Sequence, residues 1–358
     1  MTRTGKRVAL TVASTLAALA VAEVCARVFA IGPRLTAVSA GSYRLSSNRV
    51  LRYELAPGSA DGEAGINSAG MRNRECTLEK PSGTFRIACV GDSICYGLNV
   101  ARSETFPVRL EALLQARHAG DAWRFEVLNF GVTGYNLPQI AEMVRARVRP
   151  YHPDLVLYAY CLNDLQDYSF EQDCLESLLS PARAAFLRRT RMPHSRFVAA
   201  LRYALDMRLA ASRPSARESD HRRDDPTWAS LLNGSYASYF TRLYADPPLR
   251  ALLNRGMADI ARACADISAD GVVVLFPILM YYERWPIADA RAAVHHAAAA
   301  NNLRVLDLFD LYCAFEKQHA TRVGWDALHP NAEGHRLAAE AIVNVLTIPQ
   351  GGRMRVNP

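Results

Sequence analysis

The chain has 358 residues, half of them hydrophobic and 22% charged, enough to bury a substantial core in one large domain or two small ones. The formal net charge of +7 is spread along the chain, with no Lys/Arg block interleaved with aromatics, so nucleic-acid binding is not indicated. The 8 cysteines include no Cys-x-x-Cys pair and no His/Cys cluster at zinc spacing, which excludes the common zinc patterns and leaves no metal or organic cofactor implied.

Residues 8–22, "VALTVASTLAALAVA", form an uncharged apolar run behind Arg3, Lys6 and Arg7. A core helix should alternate with polar positions and this run does not, so residues 1–32 read as a membrane helix, a signal anchor, or the rival, a cleaved signal peptide. The uncharged part is short for a span of about 20 residues. Basic residues on the amino side keep that end in the cytoplasm, which puts everything after residue 32 in the periplasm or outside the cell, anchored to the inner membrane. In that compartment a disulfide among Cys76, Cys174, Cys264 and Cys313 is compatible with the sequence, which does not choose the partners.

Residues 33–84 are rich in Gly, Ser, Asn and Pro, as in "APGSADGEAGINSAGMRN", and predict a linker or arm wrapped on the main domain. From residue 85 apolar runs alternate with helical patterns. "FRIACVG" (85–91), "FEVLNFG" (125–131), "DLVLYAY" (154–160), "GVVVLFPI" (271–278) and "LRVLDLFD" (303–310) read as buried parallel strands. Between them lie "SETFPVRLEALLQARH", "LPQIAEMVRARV" and "ALLNRGMADIARACADISAD", so the pattern predicts βαβ units and a sheet covered on both faces. Residues 165–248 are too long for one crossover and predict a helical insertion containing "SRFVAALRYALDMRLAAS" and a polar loop, "RPSARESDHRRDDP".

The first strand ends in Gly91-Asp92-Ser93, where α/β proteins bind ligands. By itself this is equally a turn and a helix cap. Asn129-Phe130-Gly131-Val132-Thr133-Gly134 follows the second strand, Asn163-Asp164 the third, and Asp326-Ala327-Leu328-His329-Pro330 precedes the last helix. A serine hydroxyl needs a base to take its proton, and His329 is the candidate; Asp326, three residues earlier, can fold back to its ring nitrogen. His295, His296, His319 and His335 have no acid at useful spacing and read as structural, and Cys95 reads as packing beneath the helix that follows Ser93.

These four blocks, in this order, resemble those of the SGNH (GDSL-type) hydrolases over about residues 85–348. The resemblance implies a three-layer α/β/α fold with a central parallel five-stranded sheet. It implies a Ser93-His329-Asp326 triad, and an oxyanion hole made of the backbone N–H groups of Ser93 and Gly134 and the side-chain amide of Asn163. The family usually has Gly-x-Asn-Asp in the third block, where this chain has Cys161-Leu162 before Asn163. "NSAGMRNRE" (67–75) together with the N-terminal run looks like a bacterial membrane-anchored branch, similar to enzymes that edit acyl groups on cell-surface glycans; other members act on lipids or small esters. The implied activity is a serine esterase that cleaves an O-ester through an acyl-enzyme. The alternatives are an acyltransferase, in which a sugar hydroxyl replaces water, and a non-catalytic glycan-binding protein.

Overall fold

The computed structural model describes residues 3–28, 42–59, 65–166, 235–279, 288–347 and 355–356. The chain divides into two compact units, residues 1–39 with 180–223, and residues 40–179 with 224–358. In the first, helix α1 runs Arg3–Val28. Its hydroxyls are satisfied one turn back, Thr11 Oγ1 donating to Arg7 O at 3.0 Å and Thr15 Oγ1 to Thr11 O at 2.9 Å. Among the described residues no helix is long and apolar enough to cross a membrane, so the expected spanning anchor is not supported. Alanines and the polar Thr11, Ser14 and Thr15 make up much of that stretch. The predicted helix and polar loop of the insertion lie outside the described residues, as does Cys174; Cys76, Cys264 and Cys313 are free thiols.

The second unit is built on the five runs read as strands. A two-stranded antiparallel ribbon, β1 (Tyr43–Leu45) and β2 (Tyr53–Leu55), comes first. Then follow β3 (Thr84–Gly91), the four-residue helix α2 (Ser93–Tyr96), α3 (Phe106–Arg117), β4 (Arg124–Asn129) and α4 (Leu137–Met143). α4 continues through a π turn at Val144–Val148. β5 (Leu155–Tyr160), α5 (Ser235–Ala245), α6 (Pro247–Ala265), β6 (Asp270–Leu275), α7 (Ala288–Ala299), β7 (Arg304–Asp307), α8 (Phe309–His319) and α9 (Ala332–Val345) complete it. A short ribbon of β8 (Leu346–Thr347) and β9 (Arg355–Val356) follows.

The strands pair in parallel in the order β4-β3-β5-β6-β7. β3 and β5 are buried along their whole length, as strands covered on both faces must be. α3 packs on α9, and α9 on α8, while α4, α5, α6 and α7 pack on one another, two helical layers enclosing the sheet. The chain moves from β3 to β4 on one side and then to β5 on the other. This reversal makes the carboxyl ends of β3 and β5 the switch point, the place where such sheets bind ligands.

Two buried polar residues hold this frame. Arg86 in β3 is fully buried; its Nε donates to Glu126 Oε2 at 2.8 Å, and its terminal nitrogens donate to the carbonyls of Tyr151 (2.7 Å), Leu78 (3.0 Å) and Thr77 (3.1 Å). A buried charge survives only when so completely bonded, and here it clamps residues 77–79 to the foot of the sheet. His335 in α9 is also fully buried; its Nδ1 accepts the N–H of Phe106, the first residue of α3, at 3.2 Å. Burial, reinforced by the charges of Arg72 and Arg109, lowers its pKa to about 3. The unfolded chain therefore takes up a proton below about pH 6.5 that the folded one refuses, and stability is lost as pH falls from there toward 3. His335→Gln, which keeps an acceptor for Phe106, is expected to remove about 2 kcal/mol of the stability lost between pH 8 and pH 5. Urea midpoints of the two proteins at both pH values measure it as a difference.

Candidate active site

Ser93 opens α2 directly after β3. Asp92 caps this helix, its Oδ1 accepting the Ile94 N–H at 2.9 Å. So the turn-and-cap reading of Gly-Asp-Ser holds, and the same cap presents the serine at the sheet edge. Four residues make one helical turn, too few to persist alone, and α2 is held from outside. Arg72 donates to the carbonyls of Tyr96 (3.0 Å), Gly97 (2.6 Å) and Val100 (2.7 Å), with its guanidinium 4.7 Å from the Tyr96 ring centre. Gly131 lies directly against the helix backbone: a Cβ there would stand 2.2 Å from Tyr96 N and 2.6 Å from the Cys95 carbonyl carbon. Cys95 is buried as expected, its Sγ 3.5 Å from Asn129 Oδ1, and burial pushes its thiol well above the ordinary range.

His329 reaches Ser93 across 236 residues of chain, Nε2 lying 2.9 Å from Ser93 Oγ. Its Nδ1 is 2.8 Å from Asp326 Oδ2. Burial alone would raise the Asp326 carboxyl, but its hydrogen bond to His329, the charge there and the N–H groups of Leu328 and His329 outweigh it and hold the carboxyl below its ordinary value. An ionised Asp326 only accepts, so the ring proton sits on Nδ1 and Nε2 is left as the acceptor facing the serine. The loop is closed on itself: Trp325 N–H donates to His329 O at 2.9 Å, Asn331 N–H to Val323 O at 2.8 Å, and Gly324 bridges Pro330. Leu279 N–H ties it to the chain after β6, donating to Ala327 O at 2.7 Å, and Asn331 caps α9 through the N–H groups of Glu333 and Gly334.

Asn163 lies in the 3-10 turn Leu162–Leu165 after β5. Its Nδ2 donates to Asp92 Oδ2 at 3.1 Å. The same oxygen lies 3.3 Å from Ser93 Oγ, so one buried carboxyl, raised by its burial, ties the turns after β3 and β5. The link from Asp92 to Asn163 spans 71 residues and no local pattern records it. The departure at Cys161-Leu162 is accommodated by side chains below the turn. Asp164 Oδ2 accepts the Cys161 N–H (3.2 Å) and Tyr158 Oη–H (2.8 Å), and Tyr244 of α5 donates to Leu162 O (3.0 Å) while bonded to Tyr160. Gly134 follows β4 at φ 78°, a conformation open to glycine.

Of the remaining histidines, His335 is structural as read. His295, without an acid near it in sequence, receives one through the fold: Asp307 of β7 comes to 2.6 Å from its Nε2 and is shared with Arg291. Replacing Gly131 by alanine is expected to displace α2 and cost about 1–3 kcal/mol, with loss of any activity that depends on Ser93; denaturant unfolding beside an ester-hydrolysis assay of the folded fraction checks both.

A family model described as GDSL-like lipase/acylhydrolase matches residues 89–337. No curated protein matches the chain. Solved structures similar to it include LAE5, an alpha/beta hydrolase enzyme from the metagenome of Lake Arreo, Spain (15% identity, 73% of this chain and 94% of that one, TM-score 0.42). Others are an acetylxylan esterase from Geobacillus stearothermophilus (14%, 73% and 93%, 0.41) and a two-domain esterase active on acetylated mannans (13%, 73% and 48%, 0.41). The assignment rests on the family match, which spans most of the second unit: the chain belongs to the GDSL-like lipase/acylhydrolase family and is a serine ester hydrolase.

Proposed function

We propose that this protein cleaves an O-ester with Ser93 as nucleophile, His329 as general base and acid, and Asp326 as the group that orients and charges-balances the imidazole. The unbroken chain Ser93 Oγ, His329 Nε2, His329 Nδ1, Asp326 Oδ2, with links of 2.9 and 2.8 Å, carries this reading. Ser93 Oγ attacks the ester carbonyl as its proton passes to His329 Nε2. The tetrahedral oxyanion meets the N–H groups of Ser93 and Gly134 and the Asn163 amide. Collapse expels the alcohol, which takes the proton from His329. Water then repeats the sequence on the acyl-enzyme and frees the acid. Ser93→Ala is expected to lower hydrolysis of p-nitrophenyl acetate by at least about 10³-fold with an unchanged unfolding curve. Retained turnover in that variant removes the nucleophile assignment.

For the substrate we propose an acylated glycan. Trp325 precedes Asp326 and leaves 61% of its surface exposed, offering an indole face to the C–H groups of a pyranose beside the reacting ester. Trp325→Ala is expected to raise KM about tenfold for an acetylated oligosaccharide while leaving p-nitrophenyl acetate within about twofold; equal effects on both exclude a sugar platform. Adding a free oligosaccharide acceptor separates hydrolysis from acyl transfer, since transfer yields a new acetylated sugar.

We place the protein outside the cytoplasm, because the basic residues Arg3, Lys6 and Arg7 followed by an apolar stretch have the pattern of a secretory signal. An alkaline phosphatase reporter fused after residue 40 is expected to be active. A silent reporter there, together with an active cytoplasmic one, reverses the placement.

A further inference from the structure

The peptide unit joining Thr133 to Gly134 is gripped from one side by a residue far outside the family match. Tyr53 of β2 donates its phenol proton to Thr133 O at 2.7 Å, and Tyr53 is fully buried. No cis peptide bond occurs among the described residues. In a trans peptide the carbonyl of one residue and the N–H of the next lie in one plane and point in opposite directions. A hydrogen bond that fixes the Thr133 carbonyl therefore fixes the direction of the Gly134 N–H as well. Gly134, at φ 78°, has no side chain to restrain that plane, because glycine occupies both signs of φ with similar ease. Restraint has to come from elsewhere.

Tyr53 is itself held firmly. It pairs with Leu45 in the β1–β2 ladder. Tyr135, two residues beyond Thr133, donates its phenol proton back to the Tyr53 carbonyl. The two rings meet edge to face at 5.4 Å, and Tyr43 meets Tyr53 in the same way at 6.0 Å. Gln139, at the start of α4, donates to Leu51 O at 3.1 Å. The arm and the loop after β4 are thus laced in both directions around one phenol.

We propose that Tyr53 is a positioning residue for the oxyanion hole: its hydroxyl holds the 133–134 peptide so that the Gly134 N–H faces the oxygen of the tetrahedral intermediate. Donation to the carbonyl also polarises the amide and strengthens its N–H as a donor. The inference rests on Gly134 being an oxyanion donor, as in the function proposed above.

Tyr53→Phe removes one oxygen and keeps the ring. With p-nitrophenyl acetate, kcat per folded active site is expected to fall about 10- to 100-fold, less than or equal to the loss of a whole donor, with KM within about twofold. Inactivation by a fluorophosphonate, whose phosphoryl oxygen occupies the same hole, should slow by the same factor. The acid limb of the kcat/KM profile should stay in place, since Ser93, His329 and Asp326 are untouched. Site-specific p-aminophenylalanine at position 53, which restores a donor, should recover most of the loss. If Tyr53→Phe does not fold, p-aminophenylalanine is compared with the wild type alone, and its weaker donor should still lower kcat. Wild-type kcat in both variants overturns the proposal, as does a loss of kcat accompanied by a shifted acid limb. A wild-type protein that neither hydrolyses the ester nor reacts with the fluorophosphonate sinks the underlying function instead.

Discussion

The position of Ser93 depends on one close contact, the seating of a single helical turn against Gly131. α2 cannot sustain itself by its own hydrogen bonds, and at 2.2 Å from Tyr96 N a side chain at residue 131 has nowhere to go. The turn is therefore fixed by three outside agents acting at different points. Asp92 caps its start, Gly131 admits its flank, and Arg72 binds the carbonyls at its end. These contacts set the distances from Ser93 to His329 and to Asp92.

The second requirement is that a loop more than two hundred residues away arrives at the same edge. The parallel sheet supplies the place, since every strand delivers its following loop to the same end of the layer. The loop from Val323 to Asn331 supplies the precision. It is hydrogen-bonded across itself and tied at Ala327 to the chain leaving β6, so the imidazole is presented by a rigid hairpin. Asp326 satisfies two backbone N–H groups with one oxygen and the ring with the other. Its charge is thereby held beside the His329 ring.

The strands and their order of appearance were legible because buried parallel strands are written as uninterrupted apolar runs, and "FRIACVG" and "DLVLYAY" lie within two residues of β3 and β5. That Ser93, His329 and Asp326 meet was legible for a different reason: Asp326 and His329 are three residues apart, and each block closes a strand or opens a helix. What escaped joins residues distant in the chain. Arg72 to Gly97, Tyr53 to Thr133 and Asp92 to Asn163 have no period and no fixed spacing, so the segment read as a linker or an arm wrapped on the main domain gave no sign that Tyr53 is fully buried in it and Arg72 buried beside the helix end. The acid beside His295 escaped on the same ground, Asp307 standing on another element. At the amino end the apolar run marked a helix correctly; continuity of small residues was a poorer guide to whether that helix spans a membrane.

The buried arginine at position 72 sets a limit on how this enzyme can be cut down. The family match begins at Cys89, inside β3, and a fragment trimmed to it would lose most of a central strand along with Arg86, Arg72 and the ribbon that carries Tyr53. In this chain the segment that looks dispensable by family resemblance is part of the scaffold on which Ser93 stands, so a transplant of its catalytic domain has to carry residues 42–88 with it.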